Sequence, residues 1–153
     1  MLKIIDLATR PDLIPICANW NHGEWGASSG MDRDTVLLAF EKLIQSADRQ
    51  AARIALWNGE AAGLALLIDN DLETHPHLTP WIASVFVSPA HRGKGIAKKL
   101  VGEIEAAAAA LGYKEAYLYT EKPDLYRQVG WHDFEELNDE NAGMLILRKQ
   151  IAR

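Results

Sequence analysis

The apolar residues of this chain follow two spacings, one typical of strands and one typical of helices. Short apolar or alternating runs bounded by Gly, Pro, Asn or Asp predict strands. The predicted strands lie at residues 2–7, 53–57, 61–68, 81–87, 116–120, 131–137 and 144–148. The run at 81–87 is apolar at nearly every position, which is typical of a strand that is buried on both faces of a sheet.

Apolar residues at helical spacing predict four helices between these strands. The predicted helices lie at residues 11–20, 32–49, 96–111 and 123–129. Pro11 suits a first helical turn, and Asp32 or Asp34 can cap the second helix. Gly112 and Gly130 end the last two helices.

The connections between these elements predict a mixed α/β fold. Asn58-Gly59 joins two apolar runs and is a strong hairpin signal, so antiparallel pairs are expected. The helix at 96–111 joins two strands by a crossover, which implies a parallel pair. Residues 21–30 contain Gly and Ser and predict a loop between the first two helices. No linker, repeat or low-complexity tract divides residues 1–153, so a single domain is expected.

Composition narrows the class of protein. The chain has 153 residues, of which 48% are hydrophobic and 24% charged, as in a soluble globular domain. No apolar run approaches the roughly 20 residues that span a bilayer, and residues 1–6 do not resemble a signal peptide. We therefore expect a cytoplasmic protein that does not bind membranes. The single cysteine, Cys17, excludes an internal disulfide and a cysteine-rich zinc site.

The net charge of −5 argues against nucleic-acid binding, which depends on Lys and Arg at phosphates. It weakly favours a cationic substrate over an anionic one.

Residues 85–98 contain the most informative pattern, a buried strand followed by a loop rich in glycines and cations and then a helix. Gly93 and Gly95 allow a sharp turn and a close approach of the backbone to a ligand. The helix that follows points free N–H groups toward the loop. Arg92, Lys94 and Lys98 add positive charge, so the segment predicts a diphosphate site.

Two common nucleotide motifs do not fit this segment. The P-loop motif is absent, and Lys98 stands where the third glycine of the dinucleotide-binding motif would be. A plain glycine turn that starts a helix would not need three cations.

The stretch Arg92-Gly-Lys-Gly-Ile-Ala97 resembles the Q/R-x-x-G-x-G/A motif of the GNAT acetyltransferases, and Val85-Phe-Val-Ser-Pro89 resembles the strand before it. The resemblance implies a GNAT fold, in which a mostly antiparallel sheet contains one splayed parallel strand pair. It implies that acetyl-CoA is the cosubstrate and that the main chain of Val85, Phe86 and Val87 pairs with its pantetheine arm. The residues implied for the diphosphate are Arg92, Gly93, Lys94, Gly95, Ile96, Ala97 and Lys98.

A second match, Leu125-Tyr-Arg-Gln-Val-Gly-Trp131, resembles the L-Y-x-x-x-G-F signature of the same family. The resemblance implies that Tyr126 is a catalytic acid that protonates the departing CoA thiolate, as a phenol can. The alternative is a packing residue on a short helix. An Asn that often precedes this tyrosine in the family has no counterpart in residues 120–124.

The catalytic base is less evident from the sequence. Many GNAT proteins carry a Glu on the strand that corresponds to residues 81–87, but this strand offers only Ser84, which could position a water molecule. Glu24 is a substitute candidate in the predicted loop 21–30, and Asp69 and Asp71 are others. The alternative for these acids is an exposed loop position or a turn cap.

The remaining histidines do not form a metal-binding pattern. His75 and His77 flank a proline without a third ligand in sequence, so we expect solvated loop residues and no metal. His91 lies beside the glycine loop, either near a phosphate or at the surface.

These patterns together favour an N-acetyltransferase that acts on a primary amine of a small molecule by direct attack in a ternary complex. The resemblance is to a bacterial subgroup without an assigned substrate. Two alternatives stay open, which are an acetyltransferase for protein N-termini or lysines, and a non-catalytic acyl-CoA-binding sensor or interaction module. A homodimer is compatible with the family.

Overall fold

A computed structural model describes residues 1–26, 30–139 and 141–151 of the chain. Seven strands and four α-helices form the described part. The strands are β1 (Leu2–Asp6), β2 (Ala51–Trp57), β3 (Glu60–Ile68), β4 (Trp81–Val87), β5 (Glu115–Thr120), β6 (His132–Glu136) and β7 (Leu145–Gln150). The helices are α1 (Ile14–Asn21), α2 (Arg33–Ile44), α3 (Ile96–Ala110) and α4 (Asp124–Arg127).

The strands form one sheet in the order β1-β2-β3-β4-β5-β7-β6. Every neighbouring pair is antiparallel except β4 and β5, which are parallel and are connected through α3. Asn58 and Gly59 form the tight turn between β2 and β3, with φ angles of 49° and 85°. The mixed α/β fold, the hairpin and the parallel crossover are therefore confirmed.

Helix α3 covers one face of the sheet. Its apolar residues Ile96, Leu100 and Ile104 are almost fully buried against small side chains of β2 and β3 such as Ala55 and Ala62. The small residues let the helix lie close to the sheet.

Helices α1 and α2 cover the opposite face. Cys17, Val36 and Phe40 are buried there against Ile54 and Leu64. Cys17 is fully buried, and burial raises the pKa of its thiol to about 12. A buried thiol of this kind is protonated at neutral pH, so Cys17 is a packing residue.

A third apolar cluster lies on the same face as α1 and α2, beneath the start of β4 and β5. It contains Trp81 and Tyr117, while their strand neighbours Ile82 and Leu118 point to α3. Because side chains alternate along a strand, the third cluster and α3 lie on opposite faces.

Most predicted boundaries differ from the structure by one to three residues, and two regions differ by more. Residues 21–30 were expected to form a loop, but α1 runs to Asn21 and continues as a π-helical turn over His22–Gly26. Residues 27–29 of that prediction lie outside the described part of the chain. The second helix was expected to reach about residue 49 but ends at Ile44, while its N-cap is Asp32, whose carboxylate accepts a hydrogen bond from the Thr35 N–H at 2.8 Å.

In the described ranges, none of the helices has the length and apolar character required to cross a bilayer.

Candidate active site

Strands β4 and β5 are neighbours that separate almost as soon as they meet. Their described pairing is limited to Trp81 opposite Tyr117, next to a hydrogen bond from the Tyr117 N–H to the Pro80 carbonyl at 3.0 Å. Toward their carboxyl ends the two strands diverge. A gap therefore opens in the sheet between residues 82–87 and 118–120.

A β-bulge in β4 accompanies this divergence. Ser84 and Val85 together lie opposite Ala65, because Phe86 pairs with Leu64 while Ala83 pairs with Leu66. Ser84 has a φ angle of 54°, in the left-handed region that residues other than glycine rarely adopt. A bulge of this kind bends its strand and increases the local twist.

The bulged residue is held in place by α1. The side-chain amide of Asn21 donates a hydrogen bond to Ser84 Oγ at 2.8 Å. This contact places the Ser84 hydroxyl on the face of the sheet that α1 and α2 cover.

The backbone of β4 presents polar groups to the gap. The Ser88 N–H donates to the Ala62 carbonyl at 2.8 Å, and Phe86 lies opposite Leu64. Hydrogen-bonding direction alternates along a strand, so Val85 and Val87 direct their N–H and C=O groups away from β3 and into the gap.

The backbone of Phe86 faces β3, unlike the backbones of its neighbours Val85 and Val87. The main chain of Phe86 pairs with β3, and its ring packs on Trp20 of α1 with 5.4 Å between centroids. The Val87 carbonyl accepts a hydrogen bond from Arg92 Nε at 3.0 Å.

The glycine loop connects β4 to α3 through a short 3-10 turn at Pro89–His91. Gly93 and Gly95 have φ angles of 81° and 76°, which glycine adopts at little cost. Gly95 is the N-cap of α3, and the Lys99 N–H bonds to its carbonyl at 3.3 Å.

The first turn of α3 therefore has N–H groups that have no carbonyl partner within the helix. These are the amides of Ile96, Ala97 and Lys98. A Cβ atom added at Gly93 or Gly95 would meet no heavy atom within 4 Å, so the space beside the loop is open. Free amides, a helix N-terminus and open space fit an anionic group such as a diphosphate.

The three predicted cations differ in position. The guanidinium of Arg92 lies over the Phe86 ring at 5.8 Å, and the ammonium of Lys94 lies over the Trp57 ring at 4.4 Å. Lys98 is exposed on the first turn of α3. Arg92 and Lys94 thus contact the protein itself at the border of the loop.

His91 is buried, so a surface position is wrong. Its Nε2 lies 3.2 Å from a carboxylate oxygen of Glu60, and its Nδ1 lies 3.3 Å from Lys94 Nζ. Both ring nitrogens have partners within the protein.

Tyr126 lies on α4, which begins shortly after β5 ends. The side chain is half-buried, and its ring meets the edge of Trp131 with 6.4 Å between centroids. Burial raises the pKa of Tyr126. A phenol of raised pKa stays protonated at neutral pH and can act as a proton donor.

An ion pair fixes the turn that follows Tyr126. Lys149 Nζ lies 2.6 Å from Glu105 and donates to the Val129 carbonyl at 2.7 Å. Glu105 also accepts a hydrogen bond from Trp131 Nε1 at 3.2 Å. Residues of α3, β7 and the turn after α4 therefore hold the ring against which Tyr126 packs.

The candidate bases differ in their exposure and in their charged partners. Glu24 is exposed on the π-helical turn. Asp69 forms an ion pair with Arg49 at 2.5 Å. Asp71 is half-buried, and burial raises the pKa of its carboxyl to about 6.

His75 is buried, which contradicts the expectation of a solvated loop residue. Its Nε2 lies 2.6 Å from Glu135 of β6, and its Nδ1 lies 2.7 Å from Thr74 Oγ1. His77 is exposed and stacks on His75 at 5.8 Å. The described residues contain no group of three or more His, Cys, Asp or Glu side chains that could hold a metal ion.

A cleft of about 430 Å³ lies between the end of β5 and the β6–β7 connection. Two carboxylates, Glu121 and Glu136, line it together with Thr120 and Asn138. Leu137 and Met144 border both this cleft and the apolar cluster of Trp81 and Tyr117.

Residues 14–132 match the acetyltransferase (GNAT) family, a match that spans well over half of the chain. The bulged strand, the gap and the glycine loop that leads into a helix lie within these residues. The chain belongs to the GNAT acetyltransferase family.

Solved structures share the whole fold at low sequence identity. An aminoglycoside 6′-N-acetyltransferase complexed with coenzyme A aligns with a TM-score of 0.77 at 16% identity, over 100% of this chain and 98% of that one. The aminoglycoside 6′-N-acetyltransferase from Enterococcus faecium gives 0.73 at 17% identity, over 100% and 98%.

The protein yncA from Salmonella typhimurium, solved with its cofactor acetyl-CoA, gives a TM-score of 0.74 at 18% identity, over 99% and 95% of the two chains. No curated protein matches the chain. At these identities the solved structures establish the fold alone.

Proposed function

We propose that this protein is an N-acetyltransferase that transfers the acetyl group of acetyl-CoA to a primary amine of a small molecule. The observation that carries the proposal is the bulged strand β4, which separates from β5 and leads directly into the Gly93–Gly95 loop and the N-terminus of α3. One continuous segment thus offers strand-like backbone groups for an amide-containing arm and free amides for a diphosphate.

Two parts of acetyl-CoA, the pantetheine arm and the diphosphate, have a matching set of residues. The pantetheine arm would lie in the gap, where the N–H and C=O of Val85 and the N–H of Val87 can pair with its amides, while the Val87 carbonyl is bonded to Arg92. The diphosphate would lie at the amides of Gly93 to Lys98, with Arg92, Lys94 and Lys98 adding positive charge nearby. In this proposal Phe86 contributes a wall rather than a main-chain contact, because its backbone pairs with β3.

When bound, acetyl-CoA supplies an acetyl group on a thioester, and the chain supplies position and proton transfer. Holding an amine beside the thioester carbon makes the reaction effectively unimolecular. The N–H groups that face the gap can donate to the thioester oxygen as it gains negative charge. Tyr126 can give its proton to the departing sulfur.

Three observations support a small cationic acceptor. The aminoglycoside 6′-N-acetyltransferases among the structural neighbours are named for small molecules that carry amines. The cleft beside β5 is lined by Glu121 and Glu136, and the whole chain has a net charge of −5. Two alternative functions are tested beside this one. They are acetylation of a protein amine and a purely acyl-CoA-binding role.

The test is acetyl transfer, followed as release of the CoA thiol, with kanamycin, spermidine and a lysine-containing peptide as acceptors. We expect turnover with kanamycin or spermidine, and we expect Tyr126→Phe to lower kcat by about 10²-fold with little change in acetyl-CoA affinity. Tyr113→Phe is the matched control, because Tyr113 donates its hydroxyl to the Arg49 carbonyl at 2.9 Å, outside the proposed site.

Each result decides between the alternatives. Turnover with the peptide alone would favour the protein acetyltransferase. Acetyl-CoA binding without turnover of any acceptor would favour the sensor. Equal kcat values for Tyr126→Phe and the wild type would remove Tyr126 as the acid.

A further inference from the structure

Glu105 and Lys149 form an ion pair that lies largely inside the protein, between α3 and β7. Lys149 Nζ lies 2.6 Å from Glu105 Oε1, and the two side chains are only 24% and 17% exposed. Each partner makes a second bond to the segment that follows α4. Glu105 Oε2 accepts from Trp131 Nε1 at 3.2 Å, and Lys149 Nζ donates to the Val129 carbonyl at 2.7 Å. The pair therefore holds residues 129–131 at both ends.

Residues 129–131 in turn hold Tyr126. The N–H groups of Val129 and Trp131 donate to the Tyr126 carbonyl at 3.0 and 3.1 Å. The buried Trp131 ring meets the Tyr126 ring at 6.4 Å between centroids and at 77°. A Cβ atom at Gly130 would lie 3.2 Å from Lys149 Cε, so the lysine stem packs directly against this turn. The same segment thus contacts both the main chain and the ring of Tyr126.

Tyr126 has little support from its own helix. Helix α4 has four residues, and a single turn is not stable without tertiary contacts. Among the residues that the structure describes, none hydrogen-bonds to the Tyr126 hydroxyl, and its oxygen is not sealed from solvent. The direction of the hydroxyl therefore depends on how the ring packs, and the ring packs on Trp131.

Stability alone gives little reason for an ion pair at this place. Moving two charges out of water costs free energy that their attraction offsets only in part, so apolar replacements of both partners are frequently as stable. What the pair provides is geometry, because each of its hydrogen bonds requires a defined direction. The L-Y-x-x-x-G-F signature has Phe where this chain has Trp131, and only the indole has an N–H to donate to Glu105.

We propose that Glu105 and Lys149 are positioning residues, which hold the Tyr126 hydroxyl in the orientation that protonates the departing thiolate. This inference rests on the proposed function. In that reaction the amine nitrogen bonds to the thioester carbon as the carbon–sulfur bond breaks. The sulfur takes the phenolic proton, the nitrogen loses one proton to solvent, and Tyr126 regains one from solvent. Glu105 and Lys149 make and break no bond in this sequence and act through Tyr126.

The test is a double-mutant cycle between the ion pair and Tyr126. Glu105→Leu combined with Lys149→Met replaces the pair by apolar side chains of similar size and leaves no unpaired charge. We expect this double replacement to lower kcat about tenfold, because a small displacement of a reacting group has a large effect on rate. Acetyl-CoA affinity should stay within about twofold of the wild type. In Tyr126→Phe, which has no proton to position, the same replacement should change kcat by less than about twofold.

Trp131→Phe tests the same link by a milder change. It keeps an aromatic ring against Tyr126 and both charges of the pair, but it removes the hydrogen bond to Glu105. We expect kcat to fall about two- to fivefold, and this loss should also disappear in the Tyr126→Phe background. The control is Arg10→Gln combined with Asp12→Asn, which removes an exposed ion pair of 2.9 Å near the start of the chain. This control should leave kcat unchanged.

The results separate the inference from the proposed function. If the wild type acetylates amines and Tyr126→Phe is slow, the proposed acid stands and the cycle decides the role of the pair. The inference would be overturned by equal losses of kcat with and without the Tyr126 hydroxyl, by unchanged kcat in both the double replacement and Trp131→Phe, or by an equal loss in the control. A wild type that binds acetyl-CoA but acetylates none of the amines would overturn the proposed function and, with it, this assignment.

Discussion

Single residues determine the shape of the gap between β4 and β5. Ser84 adopts a left-handed backbone conformation, which costs a non-glycine residue about 1 kcal/mol. The hydrogen bond from Asn21 helps to hold it there. Strain that the surrounding structure enforces is frequent at functional sites, and here it bends the strand that borders the gap.

Asp71, which is half-buried in the connection between β3 and β4, gives a prediction for stability. Burial raises the pKa of this carboxyl to about 6, above the roughly 3.9 of a free Asp, so the folded protein favours the protonated carboxyl. Stability is therefore lost as pH rises from about 4 to about 6, and Asp71→Asn should be more stable than the wild type above this window by roughly 1–2 kcal/mol.

Urea denaturation of the wild type and Asp71→Asn between pH 4 and pH 7.5 measures this difference. The stability gain should be present at pH 7.5 and should nearly vanish at pH 4. Glu73 is exposed in the same connection, so Glu73→Gln is the control and should show no such trend. A difference that does not vary with pH would contradict the raised pKa of Asp71.

Sequence alone can identify candidate site residues when they lie in a short motif. Gly93, Gly95 and Tyr126 lie in short motifs, and both glycines have the positive φ angles that a sharp turn needs. His75 and Ser84 were beyond such reasoning. The partner of His75 is 60 residues away in Glu135, and the conformation of Ser84 depends on a contact with α1.

Among the elements, those with strong apolar periodicity were predicted best. Strand β4 has the predicted ends, and α3 ends one residue early, before Gly112. The π-helical turn at His22–Gly26 was missed because Gly23 and Gly26 lower helix propensity, which favours a loop when only local sequence is considered. Its packing against α1 and α2 is a tertiary effect.

Gly63 of β3 gives a prediction at this scale. A Cβ atom there would lie 2.7 Å from the Phe86 carbonyl and 3.1 Å from Leu100, so β4 and α3 approach β3 as closely as a glycine allows. Gly63→Ala should displace β4 and cost about 1–3 kcal/mol of stability.

The control is Gly102→Ala on the exposed side of α3, where an added Cβ meets no atom within 4 Å. Alanine is the better helix former, so this variant should gain about 0.5–1 kcal/mol. Urea denaturation of both variants checks the pair. Equal stability of Gly63→Ala and the wild type would show that the strand and helix can separate at little cost.

At the scale of the whole molecule, the sheet order explains why the proposed acetyl-CoA site and the proposed acid Tyr126 lie close together. Six neighbouring pairs hold the sheet together, and the parallel pair β4–β5 is the weakest of them, with a single paired position. Helix α3 follows β4 through the glycine loop, and α4 begins just after β5, so the proposed diphosphate amides and Tyr126 both follow the strands that border the gap.

The sequence predicted this architecture because the crossover and the hairpins constrain strand direction. It could not predict how far β4 and β5 separate, or that Tyr119 and Ser84 share one side of the sheet. Those features depend on long-range packing.

The most direct test of acetyl-CoA binding is calorimetric titration of the wild type, Gly95→Val and Gly102→Ala with acetyl-CoA, CoA and ATP. The proposed site predicts that the wild type and Gly102→Ala bind acetyl-CoA and CoA but not ATP. Gly95→Val should lose at least about tenfold in affinity, because valine disfavours a φ of 76° and its side chain would enter the open space beside the loop. Unchanged affinity in Gly95→Val, or no binding of either CoA species by the wild type, would contradict the account.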